Sequence, residues 1–332
     1  MLNKYKVVLV DYDDDLFSPL GWEGDILSSI GAAFHVGQYR TTEDVLRATE
    51  DADVVMIQSV RPLLNGEVIR KMKQCRCIIR LGIGYDSVDV KTATECNIAV
   101  CNIPLYCVED VAEHALALLL DGARHISLQD RMIRANQWDR RKARPSRRLR
   151  SSTLGIVSMG RIAQRLAQCA KGLFANVLGF DPYVNSATMA KLGVEKVELN
   201  ELLSRSDFIS VHTPLTDSTH HLLGRHEFEI IKQGAVLVNT SRGGVIDTQA
   251  LIDAMQSQKL WAAGLDVMEQ EPLPQDSPLR QLPNVSFTPH VGACTDESVA
   301  DLYRSACEIA CDVLCGKPPA SIVNPESTKK KK

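Results

Sequence analysis

The chain has 332 residues, 45% of them apolar and 24% charged, with a formal net charge of −3. That length suits two domains of about 150 residues, and the balance is that of an ordinary globular protein rather than a disordered or strongly basic one. No apolar run approaches the roughly 20 residues that span a bilayer, acids close the N-terminal apolar run before it resembles a secretory leader, and ten scattered cysteines suit a reducing cytoplasm, with no metal site expected.

Strands and helices alternate from the start. Strands are expected at 6–10, 32–39, 54–58, 77–80 and 98–101, with helices at 22–30, 41–49 (Thr41 as N-cap), 67–74 and 88–96. Five such units in about 100 residues predict a small parallel α/β domain. The turn Arg80-Leu81-Gly82-Ile83-Gly84-Tyr85-Asp86 reads either as a tight connection or as a backbone anion site, because ligands gather at the carboxyl ends of parallel strands. Pro104 marks a boundary. The helix expected at 108–125 carries Val111, Ala112, Ala115, Leu116 and Leu119 nearly all round, so several of its sides should be buried. The basic run at 131–150 includes Arg134, Arg140, Arg141, Lys142, Arg144, Arg147 and Arg148 but, Trp138 apart, no aromatic interleaving; it reads as a solvated, partner-facing arm rather than a nucleic-acid site.

Residues 152–181 organise the second half of the chain. The apolar run Leu154-Gly155-Ile156-Val157 is a strand, Ser158-Met159-Gly160-Arg161 a tight turn, and Ile162, Ala163, Leu166, Ala167 and Ala170 form one helical face. A second strand at 176–180 ends in Asp181. This order is the dinucleotide-binding fingerprint, in which a pyrophosphate meets the backbone at a helix N-terminus. Gly160 is the glycine that lets phosphates approach, and Ala163 is an accepted variant at the last position. Ser158 departs from the pattern, adding a Cβ where the turn is tightest. A carboxylate at Asp181 favours the ribose hydroxyls of NAD over the 2′-phosphate of NADP.

Further strands are expected at 208–212, 235–239, 262–267 and 285–288, with helices at 199–203, 227–232 and 250–258, the last capped by Asp247. The final helix, 297–315, has no strand after it and should return to the first domain; Cys307, Cys311 and Cys315 on it read as packing residues. Arg242, Glu271 and His290 each follow a strand at the ligand-binding edge. Arg242 suits a carboxylate held bidentately beside a polarised carbonyl. His290 suits proton donation to that carbonyl oxygen, and a carboxylate such as Glu271 beside an imidazole favours its protonated form. Together they suit 2-oxoacid reduction.

The chain resembles the D-isomer-specific 2-hydroxyacid dehydrogenase family to about Asn324. The resemblance is carried by the Gly82-Ile83-Gly84-Tyr85-Asp86 turn, the Gly155 to Ala163 turn with Asp181-Pro182, and His212-Thr213-Pro214-Leu215-Thr216. Asn239-Thr240-Ser241-Arg242-Gly243-Gly244, Gly264-Leu265-Asp266-Val267 through Glu271-Pro272, and Thr288-Pro289-His290-Val291-Gly292 extend it. The resemblance implies Arg242, Glu271 and His290 as the catalytic trio, and Ile83, Gly84 and Arg242 at the substrate; Arg80 or Arg61 either meets a second anionic group of the substrate or is paired within the protein. It implies NAD (NADH) held by Ser158, Met159, Gly160, Arg161, Ile162, Asp181 and Pro182. His212, Thr213, Pro214, Thr219, Thr240, Ser241, Arg242, Asp266, His290 and Gly292 would complete that set.

The implied fold is α/β with two parallel-sheet domains: a Rossmann NAD-binding domain, 103–291, inserted into a flavodoxin-like substrate domain, 1–102 and 292–326. A disordered tail at 327–332 and a homodimer through the helix after Pro104 are expected, with no membrane or nucleic-acid partner. The absence of an extension after Asn324 reads against the longer phosphoglycerate dehydrogenases. Arg80-Leu81-Gly82-Ile83-Gly84 and Val108-Glu109-Asp110 are similar to the C-terminal-binding-protein branch, so an NAD-sensing, corepressor-like interaction protein is the alternative. That branch's tryptophan after the catalytic His is missing from His290-Val291-Gly292-Ala293-Cys294.

Overall fold

The structure, a computed structural model, describes residues 4–13, 16–143 and 146–328. The chain divides into two compact units, residues 1–107 with 294–332 and residues 108–293, each an α/β unit built on a parallel sheet.

The first unit contains strands β1 (Tyr5–Leu9), β2 (Ala32–Val36), β3 (Val54–Ile57), β4 (Cys77–Arg80) and β5 (Ala99–Cys101). All pair in parallel in the order β2-β1-β3-β4-β5, the flavodoxin-like order. Successive side chains point to opposite faces, so the continuous apolar runs of β3 and β4 feed two cores at once. Val7, Leu9, Met56 and Ile79 enter one cluster; Val8, Val55, Ile57 and Ile78 enter the other. The first cluster is completed by helix Asp296–Leu314, through Leu302, Tyr303, Ala306, Cys307 and Ala310. Thr295 caps that helix by accepting the Ser298 N–H, and the Tyr303 hydroxyl donates to the Phe17 carbonyl at 2.6 Å. Burial pushes the Cys307 thiol up to about 12, which makes it a packing group and a poor nucleophile.

The second unit holds β6 (Thr153–Val157), β7 (Asn176–Phe180), β8 (Glu195–Lys196), β9 (Phe208–Val211), β10 (Ala235–Asn239), β11 (Leu260–Leu265) and β12 (Val285–Phe287). Their order is β12-β11-β10-β9-β6-β7-β8, and its direction reverses between β6 and β9. Such a reversal opens a crevice at the carboxyl ends of the strands, the usual ligand position of a doubly wound sheet. Helix Val108–Arg124 covers one face, packing Ala112, Ala115, Leu118 and Leu119 with Ile156, Val236, Val238 and Ala262. Val157, Ile209, Val211 and Leu237 face the opposite core.

Several elements differ from the sequence reading. Helix Ser186–Lys191 and the two-residue β8 were not expected, being too short for a periodic pattern. The basic run is more ordered than an arm: it follows helix Ile126–Arg134 through two 3-10 turns, Arg140–Ala143 and Leu149–Ser151. Two of its charges have local partners, Arg134 with Asp130 at 2.7 Å and Arg141 with Asp139 at 2.8 Å. Arg147 pairs with buried Asp207 and lies 4.7 Å from the Trp261 ring centroid. Arg144 lies outside the described residues. The expected tail is corrected at its start, where Ser327 is buried within the 3-10 turn Pro325–Thr328; Lys329 to Lys332 lie outside the described residues. No helix among the described residues is long and apolar enough to cross a membrane.

Candidate active site

The fingerprint turn joins β6 to helix Arg161–Cys169. Ser158 adopts φ +69, the left-handed conformation that glycine favours. Its N–H donates to the Phe180 carbonyl at 2.8 Å, and its hydroxyl lies 2.9 Å from that of Thr213. The serine is therefore accommodated with a bond that glycine lacks. Met159 is fully buried and donates its N–H to Asp181 Oδ2 at 2.8 Å. Gly160 caps the helix without a side-chain bond, and a Cβ built on it meets nothing within 4 Å. Backbone N–H groups of Arg161 and Ile162 open the helix there, where an anion is favoured.

Asp181 is buried at the end of β7, where Oδ1 accepts the Tyr183 and Val184 N–H groups at 2.7 and 3.0 Å. The carboxylate thus ties the glycine turn to the segment beginning at Pro182, and Oδ2 keeps a further acceptor direction. After β9, burial pushes the His212 imidazole down to about 4, so it is neutral near pH 7, with Nε2 2.9 Å from the Ser210 hydroxyl. The Thr219 hydroxyl closes the next loop by donating to the Pro214 carbonyl at 2.6 Å. After β10, Ser241 bonds Asn239 Oδ1 at 2.7 Å, while the buried Thr240 hydroxyl has no partner among the described residues. An open glycine at a helix N-terminus and an orphaned hydroxyl at the strand ends fit a bound dinucleotide.

Arg242 follows, with Nη1 donating to the Ser241 carbonyl at 2.8 Å. A Cβ on Gly243 would lie 1.9 Å from the Met268 carbonyl carbon, so only glycine lets the loop after β11 pass beside Arg242. That loop carries Glu271, whose Oε1 accepts the Met268 N–H at 2.9 Å and whose Oε2 lies 2.8 Å from His290 Nδ1. Burial pushes the Glu271 carboxyl up; the His290 hydrogen bond and charge, the Met268 N–H and the Arg242 charge outweigh it, leaving the group below the ordinary carboxylate range. With Nδ1 engaged, Nε2 is the ring nitrogen left to exchange a proton.

His290 itself sits at φ +57, with its N–H on the Asp266 carbonyl at 2.8 Å. Asp266 is buried and gathers the turn around His290: Oδ1 accepts the Thr288 hydroxyl at 2.6 Å and the Val291 N–H at 2.9 Å, and Oδ2 the Gly292 N–H at 3.0 Å. His114 Nε2 lies 2.9 Å from the Thr288 hydroxyl oxygen. Since that hydroxyl donates to Asp266, His114 is its donor. Burial pushes the Asp266 carboxyl up, but His114, whose Nε2 lies 3.5 Å from Oδ1, and the bonds from Thr288, Val291 and Gly292 hold it below the ordinary range. The sequence offered no signal for His114, which lies 174 residues from Thr288 on a helix read as core.

Arg80, Ile83 and Gly84 belong to the first unit. Arg80 is buried, its Nη1 donating to the Leu81 carbonyl and its guanidinium lying where a Gly82 side chain would be. The Ile83 carbonyl accepts the Asn102 amide at 2.7 Å. Arg80 therefore braces its own glycine turn.

Comparison with known proteins places these observations. The model of the D-isomer specific 2-hydroxyacid dehydrogenase NAD binding domain matches residues 116–292. The chain is 38% identical over 300 residues to a D-3-phosphoglycerate dehydrogenase of Methanocaldococcus jannaschii, covering 90% of this chain and 56% of that protein. It is 37% identical over 289 residues to a glyoxylate reductase of Korarchaeum cryptofilum, covering 86% of each. A solved glyoxylate reductase from Paecilomyes thermophila superposes with a TM-score of 0.87 at 27% identity, over 97% of this chain and 98% of that one. The chain spans about half the length of the phosphoglycerate dehydrogenases it matches, between 48% and 56%. Its second unit is an NAD-binding domain. By domain model, relatives and fold together, the chain belongs to the D-isomer specific 2-hydroxyacid dehydrogenase family.

Proposed function

We propose that the protein is an NAD-dependent D-2-hydroxyacid dehydrogenase that also reduces 2-oxoacids. The observation that supports this reading most is the 2.8 Å bond between Glu271 Oε2 and His290 Nδ1, on a loop that passes beside Arg242. NAD, held by the turn 158–162 with Asp181, Thr213 and Thr240, would supply the hydride acceptor for the hydroxy acid and, when reduced, the hydride donor for the oxo acid. Everything else falls to the chain. Arg242 pairs with the substrate carboxylate and polarises the neighbouring carbonyl. His290 Nε2 gives its proton to the carbonyl oxygen during reduction and takes it back during oxidation. Glu271, fixed by the Met268 N–H, holds the ring in that orientation. The turn 158–162, Asp181, Thr213, Thr240 and Asp266 serve the cofactor; Ile83 and Gly84 serve the substrate, on the turn that Arg80 braces.

The test is NADH consumption with a panel of glyoxylate, pyruvate and branched 2-oxoacids, with oxidation of 3-phosphoglycerate run in reverse. Turnover with one member that Arg242→Ala abolishes supports the reading. NADH binding with no turnover would favour the corepressor-like alternative. We further propose a homodimer built around helix Val108–Arg124; the exposed Ile126, Ile133 and Trp138 just beyond it support that assembly. A monomer by sedimentation would contradict it.

A further inference from the structure

We infer that the NAD-binding unit carries a divalent-cation site formed by His220, His221 and Glu269. One ligand atom from each of these residues lies within 4.8 Å of the other two. His221 Nε2 is 2.7 Å from Glu269 Oε1, and the His220 and His221 rings stack with centroids 3.9 Å apart. What distinguishes the cluster from a surface ion pair is the way its members are held. Glu269 Oε2 accepts the Thr248 hydroxyl at 2.6 Å and the Thr248 N–H at 3.3 Å, so Oε1 is the oxygen presented to the histidines. His221 Nδ1 is 4.0 Å from Asp247 Oδ2, whose partner oxygen is fixed as the cap of helix Thr248–Gln256 by the Ala250 N–H. A donor behind a ligating carboxylate is a support metal ligands ordinarily have, and Asp247, 4.0 Å away, stands where a small shift would bring a carboxylate behind the His221 imidazole. His221 also holds φ +53, a left-handed conformation kept where the surroundings demand it.

Zinc–nitrogen and zinc–oxygen bonds of about 2.0–2.2 Å place tetrahedral ligand atoms roughly 3.3 Å apart. Reaching that needs His221 and Glu269 to part by about half an ångström, and the exposed His220 ring to turn about χ2. Two imidazoles and one carboxylate, with a fourth position left to water, suit Zn²⁺ and neighbouring transition-metal ions over Mg²⁺ or Ca²⁺. The ion would tie the loop after β9 to the loop after β11, two residues ahead of Glu271. The three ligands come from two distant segments, which is why no spacing in the sequence signals them. The inference does not depend on the proposed reaction.

The test titrates Zn²⁺ into the tag-free full chain against a chromophoric chelator, with Co²⁺ absorption as a second probe. One ion per chain is expected, its affinity falling at least tenfold in Glu269→Gln and in His220→Ala, and about tenfold in Asp247→Asn, with circular dichroism confirming each fold. No saturable binding, or equal affinity in Glu269→Gln and His220→Ala, overturns the site. So does a Co²⁺ spectrum with thiolate charge-transfer bands, which would place the ion on a cysteine such as the exposed Cys315.

Discussion

Ser158 offers the sharpest test of how this chain tolerates its departure from the glycine fingerprint. Its φ of +69 costs an L-residue about 1–2 kcal/mol relative to the right-handed basin. Against that stands the bond to the buried Thr213 hydroxyl, 2.9 Å away, contributing about 1 kcal/mol. Ser158→Ala keeps the strain and loses the bond, so it should destabilise the unit by about 1 kcal/mol. Ser158→Gly also loses the bond but relieves the strain, less about 0.4–1 kcal/mol for a freer unfolded chain. The glycine variant should therefore be more stable than the alanine variant and close to wild type, the reverse of the order at a helical site. A chain of two units need not unfold in one step, so the readout is urea unfolding followed by Trp261 fluorescence, with Trp22 and Trp138 replaced by Phe. Thr213→Val combined with Ser158→Ala closes a double-mutant cycle, with a coupling of about 1 kcal/mol expected. Ser158→Ala as stable as wild type, or Ser158→Gly weaker than Ser158→Ala, would refute the reasoning.

His212 should make stability depend on pH. Burial lowers its folded pKa from 6.5 to about 4, so between those values the unfolded chain binds a proton the folded one does not. Stability therefore falls as pH drops from 6.5 towards 4, by at most about 3 kcal/mol at 1.36 kcal/mol per unit; unfolding of His212→Asn should lack this component, and a wild-type-like pH slope would contradict it. Glu271→Gln keeps an acceptor for the Met268 N–H but removes the charge beside His290, so kcat should drop by about 10²-fold with a smaller change in KM. A change confined to KM would put Glu271 in binding alone. His114→Ala removes a donor from the Thr288–Asp266 network and should lower kcat more than it weakens NADH binding, with partial rescue by His114→Gln; unchanged kcat would make His114 a packing residue.

Much of the fold was legible in the sequence because parallel α/β units advertise themselves. Buried strands read as short apolar runs, and nearly every one of β1 to β12 lies within a residue or two of its expected place; β8, two residues long, carries no such run. The meeting of Glu271 with His290 was legible for a related reason, since both residues follow parallel strands at one sheet edge. Contacts that join distant segments through side chains were not legible. Nothing local links His114 to Thr288, or His221 to Glu269, and no pattern announces that Arg80 folds back on its own turn. Asp181 shows a subtler gap. It ends β7 where the fingerprint expects an acid, yet nothing local announces that it accepts the N–H groups of Met159, Tyr183 and Val184. The exposure of the basic run was legible from its charge, but its pairing was not, since that depends on Asp130, Asp139 and Asp207 arriving at the right places.

The most direct measurement compares wild type and His290→Ala for 2-oxoacid reduction and NADH binding on the same samples. If His290 is the proton donor, the variant still binds NADH while turnover falls by about 10²–10⁴-fold. A His290→Ala protein that turns over at the wild-type rate, at any pH, would contradict the account.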